Sequence, residues 1–378
     1  MVSPSTVEAT KYTTVKQSDT SEEDIEKVES IIEEQYEPSS QLRPAYKNLF
    51  VVSLLLCAIV VSFLGGIFGG ETLHKIETYR EGDSIEGTKD NSCQGPVLRR
   101  EWRSLAAEEK RSYLKAAKCL TEVPSTLGLN QSHHDDFAWV HKKIGETSHD
   151  AAMFIAWHRY FIHAYEKALQ TSCDFKGHLA YWDWTLDWED ITKAPVWSSD
   201  LGFGGDGNRQ HEQNLLNAHC VTDGPFANLN IPYIEDIYYP HCLSRGFETK
   251  YNLSIQGEFL RPEYIEKLLA NDDYEEFNLG MEHGPHIAIP KSVNGDFSVH
   301  TAPFDPVFFL HHTQLDRTWW RWQQRDPPRR LYQYKGASTT DSKINATIND
   351  KLDLGDLMPP VEVSQILRTD TAFLCYKY

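Results

Sequence analysis

Residues 149–166, HDAAMFIAWHRYFIHAYE, constrain the fold of this 378-residue chain more than any other stretch. His149 and His158 stand nine apart, and Arg159, Phe161, Ile162 and Glu166 follow at spacings that keep one helix face turned inward. An imidazole on a wet surface needs no frame of Phe154, Trp157 and Phe161; an imidazole holding a metal inside a helical core does. The plainer reading is a pair of histidines satisfied in an aromatic core, and what lies downstream weighs against it.

Residues 301–323, TAPFDPVFFLHHTQLDRTWWRWQ, form the second half of the pattern. Asp305-Pro306 reads as a helix start, with Asp as cap and Pro at the first helical position, where its missing N–H costs nothing. Val307 to Leu310 run into His311-His312, and Asp316 follows His312 by four residues. On that helix Asp316 is placed to accept from a histidine N–H or from a nearby guanidinium such as Arg317. His286 precedes His312 by 26 residues.

Together these stretches resemble the tyrosinase, catechol oxidase and haemocyanin family, in its short fungal form. His149, Phe154, Trp157-His158-Arg159 and Glu166 carry the first signature; Asp305-Pro306, Phe308, His312 and Asp316 carry the second. The resemblance runs from about Cys93 to Trp322 and takes in Arg99 to Leu105 and Tyr181-Trp182-Asp183-Trp184. It implies an all-α fold with a four-helix-bundle core and long loops, holding two copper ions through three histidines each. With O2 as co-substrate, such a centre hydroxylates a phenol at its ortho position or oxidises a catechol to an o-quinone, on a small-molecule or peptide substrate. Imidazole suits both copper oxidation states, whereas a zinc site usually keeps a single metal.

Residue by residue, the resemblance implies His141, His149 and His158 for the first copper, with His133 and His134 as rivals for the first position. For the second copper it implies His286 and His312. The family's further histidine, four residues after His286, is here Pro290, which has no lone pair to offer. His283 or His300 replaces it, or nothing does; His283 is the favoured substitute. His311 is the ligand's structural neighbour. Ile287 stands where hydroxylating members often have Asn, which favours catechol oxidation, and Thr147 stands where many fungal members carry a thioether Cys. A non-catalytic copper or dioxygen binder, or a structural relative with an impaired second site, is the rival reading.

The rest of the chain frames this domain. With 37 basic against 55 acidic residues the formal charge is −18, which argues against nucleic acid as a partner. Residues 1–47 read as an acidic, disordered cytosolic tail. Residues 48–70 read as a transmembrane signal anchor, since Leu49 to Gly70 is uncharged over 22 residues, enough to span a hydrocarbon core of about 30 Å. Residues 71–92 are a charged stem, and 93–378 the copper domain. Arg43 and Lys47 before the span place the domain in the secretory lumen or outside the cell. Sequons at Asn130, Asn252 and Asn345 agree with that side, and so do six cysteines beyond the span, whose pairing stays open. Glu101 to Leu120 predicts one amphipathic helix, and residues 201–261, rich in Gly, Asn and Pro, a long irregular segment, which the resemblance implies walls the active-site entrance and selects the substrate.

Overall fold

A computed structural model describes Cys93 and residues 95–378; the acidic tail, the apolar stretch and the stem lie outside the described residues. Among the described residues no helix is long and apolar enough to cross a membrane. Helices carry the core: α1 (Ala107–Leu120), α2 (His133–Lys143), α3 (Phe154–Ser172), α4 (Lys250–Gly257), α5 (Pro262–Ala270), α6 (Tyr274–Met281), α7 (Ile287–Val293) and α8 (Val307–Gln324). Small two-stranded pairings supplement them, which a purely helical reading did not anticipate. Val97–Leu98 runs parallel to Tyr376–Lys377 and brings the two ends of the domain together. Asn230–Ile234 and Ile237–Cys242 form an antiparallel hairpin.

Local chemistry explains the helix starts. Ser132 and Asp135 exchange hydrogen bonds as a capping box at α2, at 3.2 and 3.0 Å. At α8 the Asp305 carboxylate accepts the Val307 N–H at 3.1 Å, as the Asp-Pro pair predicts. The expected helix over Glu101 to Leu120 is broken: Trp102–Ser104 is a short 3-10 turn, Leu105 and Ala106 are extended, and α1 begins at Ala107. Glu109 explains the break, since its carboxylate accepts the Ala106 N–H at 2.8 Å and caps the later start. Tyr113, Leu114, Ala117 and Leu120 are buried as the amphipathic pattern requires.

α3 is buried on nearly all sides, including Arg159 and Glu166. Its charges survive there because they are paired. Arg159 Nε reaches Asp316 Oδ1 at 2.5 Å, and Arg159 also donates to the carbonyls of Ile366 and Leu367 at 3.1 and 3.0 Å. Asp316 further accepts the hydroxyls of Tyr376 and Tyr378, at 2.6 and 2.5 Å. Asp316 therefore serves Arg159 and the C-terminal tyrosines; Arg317, the expected partner, bonds Asp183 instead at 3.1 Å. The reason is rotational, because consecutive helix positions point about 100° apart. Trp182 and Trp184 are fully buried, in keeping with a core role for that run.

Glu166 faces Arg99 at 2.5 Å and His178 at 2.9 Å. Burial alone pushes its carboxyl up, but the Arg99 guanidinium and the His178 hydrogen bond outweigh burial and hold it at about 2. The unfolded chain titrates near about 4.3, so as pH falls the unfolded state takes the proton first. The stabilisation is present above that value and is lost as pH drops toward 2, by an amount on the order of 3 kcal/mol. Unfolding by urea at a series of pH values between about 5 and 2 should show this loss in the natural chain and a shallower one in Glu166→Gln.

The six described cysteines form three disulfides, Cys93–Cys375, Cys119–Cys173 and Cys220–Cys242. The first closes the ends of the domain, the second ties α1 to the end of α3, and the third pins the hairpin. The segment expected as a long loop is thus ordered. Arg245 completes it by bonding the carbonyls of Gly204 and Gly205, at 2.7 and 3.0 Å, while pairing with Asp305 at 2.7 Å.

Candidate copper centre

Five histidines from distant parts of the chain meet in the core. His141 comes from the last turn of α2, His158 from the first turns of α3, His286 from the residue before α7, and His312 from α8. His149 differs from expectation. It lies in extended backbone after the 3-10 turn Gly145–Ser148, and α3 begins only at Phe154. Asp150, with φ of 50°, turns the chain there, so the nine-residue spacing reflects a loop and a helix in succession.

Ligand atoms of His141, His149 and His158 all lie within 4.8 Å of one another. Each ring has its Nδ1 against a backbone carbonyl: His141 to His300 at 2.6 Å, His149 to Gly145 at 3.1 Å, and His158 to Phe154 at 2.8 Å. A carbonyl accepts only from N–H, so the protons sit on Nδ1 and the lone pairs on Nε2. His141 Nε2 and His158 Nε2 then approach to 3.2 Å with a lone pair on each and no proton between them. That contact is repulsive unless a cation lies between, and it is the fit a metal requires.

The second group adjoins the first. His312 stacks on His158 with ring centroids 4.4 Å apart, and His286 lies 5.2 Å from His312 and 5.6 Å from His149. Its anchoring is weaker. The Nδ1 atoms of His286 and His312 are both buried without a hydrogen-bond partner. His311 holds the backbone instead, Nε2 to the His286 carbonyl at 3.3 Å.

Burial, followed by the neighbouring imidazoles, holds His141, His158, His286 and His312 well below the ordinary histidine range. Burial and His300 bring His149 to about 4. All five are neutral at physiological pH and offer lone pairs. His149 and His286 are only half-buried, so the centre opens on their side.

Other candidates go elsewhere. His133 bonds Asp136 at 3.1 Å, and His134 bonds the Phe304 carbonyl at 3.1 Å. His283 turns outward onto Asp150 at 2.5 Å. His300 packs against His149 at 6.1 Å and has its backbone N–H on the buried Glu235 at 2.6 Å. Among the described residues, no third His, Cys, Asp or Glu ligand atom joins His286 and His312 within 4.8 Å. Two residues beside the copper ligands, and not among them, escaped sequence reading. Glu282 is a nearly fully buried acid whose titration burial raises to about 8. Glu235 steers His141 through the His300 carbonyl; its adjacency comes from the hairpin turn and has no sequence signal.

The family model for the common central domain of tyrosinase matches residues 131–325. The chain belongs to the tyrosinase family. Tyrosinase ustQ of Aspergillus flavus is 39% identical over 342 residues, covering 90% of this chain and 91% of that protein. The tyrosinase-like protein phomQ1 of Diaporthe leptostromiformis is 40% identical over 304 residues, covering 76% of this chain and 78% of its own length. Among solved structures, a variant polyphenol oxidase from Thermothelomyces thermophila superposes with a TM-score of 0.66 at 27% identity, covering 75% of this chain and 88% of that one. As a tyrosinase family member the chain is a copper oxidase using a dicopper centre and O2, and its histidines fit that metal.

Proposed function

We propose that this member of the tyrosinase family oxidises the ring of a small-molecule or peptide phenol, tailoring a metabolite, with His141, His149 and His158 on one copper and His286 and His312 on the other. The observation that carries this reading is the trio His141, His149 and His158, whose Nε2 lone pairs converge while carbonyls hold Nδ1, with the neutral His286 and His312 packed against it. When bound, the two coppers supply electrons to O2 and accept them from the phenol. The chain's part is to fix the imidazole tautomers, keep the interior dry with Phe154, Phe161 and Phe308, and leave the His149–His286 side open to a flat ring. The non-catalytic alternative is not favoured, since His141, His149 and His158 converge on one point and His286 and His312 pack beside them.

Ile287 directly follows His286 and offers no hydrogen bond to position a water. Catechol oxidation is therefore expected to outpace monophenol hydroxylation. Oxygen uptake with a simple catechol against the matching phenol tests this; faster turnover of the phenol would sink it.

The two-histidine second copper is held less tightly than the first. Pro290→His restores a ligand type four residues after His286 and should raise the chelator concentration needed to strip that copper, by roughly the 10–100-fold seen for changes around metal ligands or more. An unchanged stripping curve would mean that Pro290 does not stand at a ligand position.

Placement of the domain on the secretory side, behind a membrane anchor, is supported by the three disulfides. Asn130 and Asn345 are exposed and suited to carry glycans, whereas Asn252 is half-buried and donates to Glu248 at 2.7 Å. A mass shift on glycosidase treatment, lost in Asn130→Gln and Asn345→Gln, checks it.

A further inference from the structure

The outward turn of His283 places it in a second constellation. We propose that Asp150, Glu282 and His283 form a third cation site, for a zinc-class divalent ion, at the rim of the copper centre. Their ligand atoms all lie within 4.8 Å of one another. His283 Nε2 meets Asp150 Oδ1 at 2.5 Å. Glu282 is 3% exposed; one carboxylate oxygen accepts the Asp150 N–H at 2.8 Å, and the other, Oε2, is buried with no partner. A buried carboxylate oxygen without a donor is costly; burial therefore keeps a proton on Glu282 at neutral pH, and a divalent cation held beside the Asp150 carboxylate would displace that proton.

The donor set also selects the ion. One imidazole and two carboxylates match a three-ligand zinc site with an open position, while magnesium and calcium prefer oxygen alone. None of the three joins the ligand atoms of the copper histidines at the same radius, so the ion would be additional to the coppers. Asp150 directly follows His149, and His283 precedes His286 by three residues. An ion here would tie together the two half-buried histidines that flank the opening.

Zinc chloride titrated calorimetrically into the copper-loaded full chain tests this. The expected result is one zinc equivalent beyond the coppers, with His283→Ala and Glu282→Gln each weakening zinc affinity by roughly tenfold or more at unchanged copper content. Absence of zinc binding, or zinc binding untouched by both variants, overturns the site. So does loss of copper in His283→Ala, since His283 would then serve the second copper. Zinc retained by a chain that holds no copper would leave this site standing and remove the dicopper reading.

Discussion

Exchange of His158 for alanine is expected to abolish oxygen uptake on catechols and to lower copper content. His158 faces both halves of the centre: its Nε2 lies 3.2 Å from His141 Nε2, and its ring stacks at 4.4 Å on His312. Removing it takes a donor from the first copper and the packing partner from a ligand of the second. Loss of an outer-shell partner costs roughly 10–100-fold in affinity or activity, and loss of a ligand at this junction should exceed that. Because the cavity is lined by other imidazoles, the fold should persist, and circular dichroism separates loss of metal from loss of structure. Full turnover in His158→Ala would remove the copper assignment.

The largest expected loss of stability comes from the charge pair next to that histidine. Arg159 and Asp316 have side-chain exposures of 0% and 1%, and they join α3 to α8 one residue beyond His158 and one turn beyond His312. Their pairing sets the spacing of the two ligand-bearing helices. Arg159→Met leaves Asp316 with Arg99, 3.5 Å away, and the two tyrosine hydroxyls, and Asp316→Leu leaves Arg159 with the Ile366 and Leu367 carbonyls, so each change is expected near the lower end of the about 3–5 kcal/mol that breaking a buried pair costs. The double variant removes both charges and should lose clearly less than the sum of the two. Urea unfolding of the four proteins measures the coupling; additive losses would show that the pair is not an energetic unit. A weaker second copper in either single variant would link the pair to the centre's geometry.

The centre was legible in the sequence to the extent that its chemistry is local. His158 with Phe154, Trp157 and Arg159, and His312 with Asp305 and Asp316, share helical turns, so their spacing carries the constraint. The Asp-Pro helix start works as elementary capping predicts. What sequence reading missed depends on contacts between distant segments. His149 lies in a loop, and a nine-residue spacing does not distinguish a loop followed by a helix from one continuous helix. The Asp316 partners Tyr376 and Tyr378 arrive from the end of the chain, held there by the Val97–Leu98 pairing and the Cys93–Cys375 bridge. The outward turn of His283 depends on Asp150, 133 residues away. No sequence pattern marks Glu235, in a hairpin turn, whose carboxylate holds the His300 backbone N–H while the His300 carbonyl faces His141.

These features agree on a site whose halves differ. Three imidazoles are fixed by carbonyls on one side; on the other, two are held mainly by packing, with no third ligand beside them among the described residues. The central claim is that this chain nevertheless holds a copper pair, and copper equivalents per folded chain during stepwise chelation test it most directly. The expected result is two coppers released in two steps, the first at low chelator and the second only after the first is gone. A single copper per chain, or no copper in a protein that remains folded, would contradict it.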